Sequence, residues 1–280
     1  MAPESTVVRF EDVSLHFGAT PGLDRVSFEM GPGETRILFG AAGSGKTTLI
    51  KVALGLLKPD SGRVYLFGRD ITDLKEQDLF DIRARVGILF QEGGLFDSLT
   101  IGENVTYPLV NQRVLQDAVL HGNGAPARSV QERVREALHF VELDQTLEKF
   151  PSELSGGMRR RVGIARAVVT APKLLLYDSP TAGLDPITAN TIIALILKER
   201  EIRNTATIMA THRYLDGHLM TNFRYNPGSG TMERAPEVAR RAATQFFVMN
   251  EGRLIFTGTE ADLQVAEDPY VRKFLRHGSS

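Results

Sequence analysis

Gly40-Ala41-Ala42-Gly43-Ser44-Gly45-Lys46-Thr47 is the stretch on which the reading of this chain turns. It fits the pattern G-x-x-x-x-G-K-[ST], whose glycines let successive backbone N–H groups turn inward around phosphate oxygens at the positive end of the following helix. In that pattern Lys46 would reach the β- and γ-phosphates of a nucleotide, and the Thr47 hydroxyl would bind Mg²⁺. A glycine-rich turn can match by accident, so the flanks matter. Residues 36–39 read as a buried strand and 47–56 as a helix. Strand, loop and helix in that order are the context a phosphate cradle needs, and they point to an α/β fold.

Outward from the loop, residues 7–10, 13–17 and 25–29 alternate as strands do, punctuated by Gly18, Pro21-Gly22 and Gly31-Pro32-Gly33. Downstream, 58–62 reads as a turn, 63–67 as a short strand, 76–85 as a helix and 86–90 as a buried strand. From 92 to 170 the texture shifts to helices and loops, with 121–126 a loop. Strand character returns at 173–177 and 206–210. Between them Asp185-Pro186, an N-cap followed by proline, opens a helix whose apolar stripe continues through Leu197. Residues 213–245 read as irregular around Asn226-Pro227-Gly228-Ser229-Gly230, and a hairpin is expected around Asn250-Glu251-Gly252.

Two further stretches carry chemistry. Leu174-Leu175-Leu176-Tyr177-Asp178 is a buried strand ending in a carboxylate. Alone it is better read as a core strand with a solvated end, but beside the phosphate loop Asp178 supplies the carboxylate that completes a Mg²⁺ shell. Leu154-Ser155-Gly156-Gly157-Met158 precedes a helical run, 159–169, and so offers a second anion cradle. One nucleotide does not readily need two cradles from one chain. Two chains head to tail would let each Ser155 cap the other's γ-phosphate, although a plain N-cap is physically adequate for that serine.

Composition narrows the class. The chain has 280 residues, is 42% hydrophobic and 24% charged, and reads as an ordinary globular protein. A net charge of -1 argues against bulk nucleic acid as a partner. With no cysteine, disulfides and thiolate metal sites are excluded. No secretory leader is expected from Met-Ala-Pro-Glu-Ser, and the longest aliphatic run, 192–197, is far short of a membrane-spanning helix. A membrane role would have to be borrowed from a partner.

With these motifs in hand, the chain resembles the nucleotide-binding domains of ABC proteins over nearly its whole length. The segment 40–48, adding Thr48, looks like Walker A, Gln91 like the Q-loop, 154–158 like the ABC signature and 174–178 like Walker B. Ala182-Gly183-Leu184-Asp185 looks like the D-loop and His212 like the switch histidine, and Phe17 sits where the family stacks an aromatic on adenine, though a lone aromatic before glycine also suits a core. The resemblance implies one cassette. A RecA-like core with an N-terminal antiparallel β subdomain (1–91 and 171–258) is interrupted by a helical signature subdomain (92–170) and followed by a helical tail (259–280).

The resemblance also implies ATP and Mg²⁺ as cofactors. Thr47, Gln91 and Asp178 would hold the metal, and His212, Gln91, Ser179 and Asp185 would occupy the catalytic positions. Phe17, the loop 40–48 and the partner copy's counterparts of Ser155, Gly156 and Gly157 would hold the nucleotide. More finely, Gly87-Ile88-Leu89-Phe90-Gln91-Glu92-Gly93-Gly94-Leu95-Phe96, Glu103-Asn104-Val105 and Asp268-Pro269-Tyr270-Val271-Arg272 resemble the ATPases of Mla-type, MCE-associated lipid transporters. That implies a second copy, an integral-membrane permease and an MCE-type lipid-binding protein as partners. It also implies a peripheral location at the cytoplasmic face of the inner membrane and an ATPase activity that drives phospholipid transport. A soluble ABC ATPase and a non-hydrolysing nucleotide-binding regulator are the rival readings. Two departures from the family stand out: Ser179 replaces the glutamate that follows the Walker B aspartate, and 214–235 is extra length, expected to be a solvated, mobile inserted loop.

Overall fold

The computed structural model describes residues 6–91, 93–111, 129–236 and 244–276. In chain order it begins with strands β1 (Val8–Phe17), β2 (Thr20–Met30) and β3 (Thr35–Phe39), then helix α1 (Lys46–Ala53). Strands β4 (Ser61–Leu66) and β5 (Arg69–Asp70), helix α2 (Glu76–Arg83) and strand β6 (Val86–Leu89) follow. The helical part holds α3 (Ile101–Asn111), α4 (Val130–Phe140) and α5 (Gly156–Val168). The core resumes with β7 (Leu174–Asp178), α6 (Pro186–Arg203), β8 (Ala206–Ala210), α7 (Tyr214–Asn222), β9 (Phe223–Asn226) and β10 (Thr231–Arg234). It ends with β11 (Thr244–Asn250), β12 (Arg253–Gly258), α8 (Glu260–Val265) and α9 (Pro269–Arg276).

The main sheet has the order β12-β11-β3-β8-β7-β6, parallel except for β12. Its strands are near-continuous apolar runs because both faces are covered, as parallel sheets require. Side chains alternate between two cores: Ile37, Phe39, Leu175, Tyr177 and Met209 enter one, while Leu38, Leu174, Leu176, Ile208 and Ala210 enter the other. Helices α5 and α6 cover the first face, and α1 covers the second through Leu49, Ile50, Val52 and Ala53. A separate antiparallel sheet, β2-β1-β4-β5, adds Phe10, Val13 and Leu23 to the second core. The α/β architecture with its antiparallel subdomain is as expected from the sequence.

Three local readings change. Residues 7–17, read as two strands, form the single strand β1, bent at Asp12 (φ 50°), where its pairing with both neighbours shifts register. The stretch 213–245 is not irregular where it is described. It contains α7 and the β9–β10 hairpin, with Met220 fully buried and Asn226 accepting the N–H of Gly228 at 2.9 Å to close the turn. The expected mobile loop at 214–235 is therefore replaced by packed structure. The loop expected at 121–126 falls outside the described residues, as do residues 237–243 of the stretch read as irregular.

Candidate nucleotide-binding site

The parallel strands β6, β7, β3 and β8 end at one edge, with Asp178 level with Ala210 and Leu38 also paired to Ala210. The loops that leave these ends carry Gln91, Ser179, the glycine loop and His212. They meet around a cleft of about 610 Å³ lined by residues 40–48, Gln91, Asp178, Ser179, Ala182, His212 and Phe274. Ligands of open α/β sheets bind outside the carboxyl ends of the strands, so the cleft lies where the topology puts a site.

Within the cleft the glycine loop is fixed by sterics. A Cβ on Gly40 would come within 2.2 Å of Ser44 Oγ, and one on Gly45 within 2.5 Å of the Gly22 carbonyl. Gly45 also holds φ 108°, a conformation L residues rarely adopt. Lys46 Nζ donates to the Gly40 and Ala41 carbonyls, both at 2.8 Å, and to Ser44 Oγ at 3.2 Å. Burial pulls the Lys46 pKa down, opposed by the charge of Asp178. A half-buried cation held by neutral oxygens is a seat for an anion. Thr47 Oγ1 donates to Asp178 Oδ2 at 2.8 Å, so the hydroxyl and carboxylate suited to a hard cation are already side by side. The residues fit Mg²⁺ and a nucleotide triphosphate.

The other expected residues divide in two. Ser179 lines the cleft with φ 52°, its N–H donating to the Ala210 carbonyl at 2.9 Å and its hydroxyl to Asp178 Oδ1 at 3.3 Å. Phe17, half exposed, lies at the rim: a Cβ on Gly22 would come within 2.7 Å of its ring and 3.2 Å of Thr48 Cγ2. Ser155, Gly156, Gly157 and Asp185 do not line this cleft. Ser155 caps α5 by accepting the Met158 N–H at 3.2 Å, and Asp185 caps α6 by accepting the Ile187 and Thr188 N–H groups, both at 3.0 Å. Hydrogen bonds from Thr188 hold the Asp185 carboxyl below its usual range.

Several participants were missed from the sequence. Arg160 donates to the Phe90 and Ala182 carbonyls at 3.3 and 3.2 Å, tying α5 to the segments around Gln91 and after Asp178. Buried Asp216 accepts the hydroxyls of Thr181 and Thr211 at 2.5 and 2.7 Å, which locks the residue before His212 to the loop after β7. From the tail, Phe274 reaches the cleft and Tyr270 touches the glycine loop by accepting the Ala41 N–H at 3.0 Å. The resembling tail segment, 268–272, includes Tyr270 and stops short of Phe274.

Fold and cleft thus define an α/β nucleotide-binding protein with a phosphate-cradling loop. The family model described as "ABC transporter" matches residues 23–182, more than half of the chain. The chain belongs to the ABC transporter ATP-binding family, whose cofactors are ATP and Mg²⁺. It is 35% identical to the methionine import ATP-binding protein MetN of Rhizobium etli, over 92% of this chain and 62% of that protein. The match to MetN 2 of Rhodococcus jostii is 35% over 92% and 67%. The probable ribonucleotide transport ATP-binding protein mkl of Mycobacterium leprae is 28% identical over 98% and 70%. The chain therefore spans 62 to 70% of the length of these relatives, less than two thirds of the Rhizobium etli protein. Among solved structures, a nucleotide-free ATP-binding cassette from an ABC transporter superposes with TM-score 0.74 at 26% identity, covering 96% of this chain and 98% of that one. A dimeric post-hydrolysis cassette bound to ADP and Pi gives 0.70 at 26% identity, covering 90% and 98%.

Proposed function

We propose that this chain binds Mg-ATP in the cleft at the head of the parallel sheet and hydrolyses it as the motor subunit of a membrane transporter. The observation that carries the reading is the meeting of Lys46, Thr47, Asp178, Gln91 and His212 around one cavity of about 610 Å³. Lys46 would take the β- and γ-phosphates, and His212 the far side of the γ-phosphate. Mg²⁺, held by Thr47, Asp178 and Gln91, would supply positive charge against the phosphates. Among the described residues no helix is long and apolar enough to cross a membrane, so the work would pass to a permease partner at the cytoplasmic face. Lys46→Ala should abolish nucleotide binding or nearly so. Titration of that variant at the natural affinity would reject the assignment.

For the cargo we propose a phospholipid, with an MCE-type lipid-binding protein as a further partner. The support is the resemblance in the segment after β6 and in the tail Asp268-Pro269-Tyr270-Val271-Arg272. Methionine import is the second reading, favoured by the names of the MetN relatives. Purification of the intact complex from solubilised membranes separates them. Bound phospholipid and a lipid-binding subunit support the first. A substrate-binding subunit that takes up labelled methionine overturns it and leaves the ATPase reading in place.

A further inference from the structure

Helix α9 lies far from the glycine loop in sequence and touches it in space. Asp268 accepts the N–H groups of Tyr270 and Val271 at 2.7 and 3.2 Å, and Pro269 opens the helix, so its first turn is fixed. Val271 is fully buried. One turn after Tyr270, Phe274 stacks on Phe39 with ring centroids 5.8 Å apart and planes 4° from parallel, and it lines the nucleotide cleft. Phe39 is the last residue of β3, so the tail grips the strand at the point where the loop leaves it.

The polar contact is more specific. Tyr270 Oη accepts the Ala41 N–H at 3.0 Å and donates to the Met249 carbonyl at 3.3 Å. Pairing of β3 with β11 ends at Phe39 and Val248, so Ala41 lies beyond the ladder. Its carbonyl is held by Lys46 and by the Ser44 N–H. A phosphate must compete for Lys46, and the contact from Lys46 to the Ala41 carbonyl weakens as it does. Tyr270 does not line the cleft, so its grip on the same residue through the Ala41 N–H persists.

We propose that Tyr270 is a positioning residue of the ATP site. Its hydroxyl holds the first peptide of the glycine loop in the phosphate-binding shape, and α9 is a wall of the nucleotide pocket. A loop already in its bound shape loses less freedom when it takes its ligand, and that difference appears as affinity. Because coupling between two sites is reciprocal, bound nucleotide must also tighten the docking of α9. The proposal rests on the reading of the cleft as an ATP site.

Tyr270→Phe keeps the ring and deletes the hydroxyl. Mg-ATP and Mg-ADP should bind about three- to tenfold more weakly, in line with the loss of one hydrogen bond. KM for ATP should rise by more than kcat falls. Amide exchange of the peptide containing residues 40–46 should speed up in the nucleotide-free variant. Natural affinity with natural exchange in that peptide overturns the proposal, and so does a lowered melting temperature with unchanged affinity, which would mark a merely structural contact. If the variant does not fold, the natural chain gives the reciprocal reading. Saturating Mg-ATP should slow exchange across residues 266–276, and no slowing there overturns the proposal. A Lys46→Ala chain that still bound ATP would sink the underlying site. Loss in Lys46→Ala beside an unaffected Tyr270→Phe sinks only the role of the tail.

Discussion

At the scale of single residues the most informative position is Ser179. Its hydroxyl can orient a water but cannot take a proton near neutral pH, and Asp178 is the only carboxylate among the described residues lining the cleft. A positioned base contributes about 10²–10⁴-fold to rate, while phosphoryl transfer also draws heavily on charge stabilisation, which Lys46 and His212 would supply. Ser179→Glu should therefore raise single-turnover hydrolysis at least about tenfold while changing ATP affinity little. Because Ser179 already holds φ 52°, the substitution adds no new backbone strain. A serine chain as fast as the glutamate chain would show that another group orients the water. Glu92, next to Gln91, lies outside the described residues. The phosphate loop and Asp178 were legible because their chemistry forces a local pattern. Asp216, Tyr270 and Phe274 were not, since an aspartate or an aromatic in a tail becomes informative only when the fold brings distant segments together.

At the scale of elements, buried strands were legible and half-packed ones were not. Strand β8 matches its expected bounds because 206–210 is an apolar run with both faces covered. The alternation of β9 and β10 was masked by charge: Arg224 pairs with Glu233, and Asn226 donates to Glu233 at 2.9 Å. If 214–235 were only a mobile loop, a glycine-serine linker could replace it without loss of stability. The fold reverses this. Met220 is fully buried, and Arg200 Nη1 donates to its carbonyl at 2.9 Å, so α7 is part of the core. Met220→Ala should cost about 2–5 kcal/mol in denaturant unfolding, while replacing the turn 227–230 should cost little. Helix α6 gives a pH-dependent case. Glu199 is buried, its carboxylate oxygens have no hydrogen-bond partner, and Arg203 Nε is 3.5 Å away. Burial raises its pKa from 4.5 to about 7, opposed by Arg203. The folded chain then keeps a proton that the unfolded chain releases, so the contribution to stability is full below pH 4.5 and lost as pH rises through about 7. At about 1.4 kcal/mol per unit the loss is on the order of 3 kcal/mol. Glu199→Gln should flatten that fall in unfolding curves taken at pH 5 and pH 8; an unchanged slope would show that other groups set it.

For the whole molecule the decisive fact is which site residues the fold keeps out of the cleft. Ser155, Gly156 and Asp185 are exposed at the starts of α5 and α6, and those starts adjoin: a Cβ on Gly157 would lie 2.5 Å from Thr188 Cγ2. Beside them Ile187 is 80% exposed, a large apolar side chain left on an otherwise polar helix start. The α5 N-terminus on this open face is capped only by the neutral Ser155 hydroxyl and keeps partial positive charge, while the Asp185 carboxylate already occupies the α6 N-terminus. A second copy placed head to tail would bring this face over the glycine loop of its partner, so that ATP is held between the two. In this arrangement Arg160, through the Phe90 and Ala182 carbonyls, would carry a change at the γ-phosphate into the helical part, where the proposed permease would dock. The isolated chain should then be mainly monomeric and should dimerise with Mg-ATP when turnover is slow, a condition that Ser179 favours. Ser155→Arg should abolish that dimer by placing a bulky side chain where the partner's γ-phosphate would sit. Loss of the helix cap alone costs about 1 kcal/mol, so Ser155→Ala serves as the control and should retain most of the dimer. Sedimentation velocity with and without Mg-ATP reads the outcome directly. Equal ATP-dependent dimer in the arginine and natural chains would remove the shared site, and with it the reason for the exposed signature face.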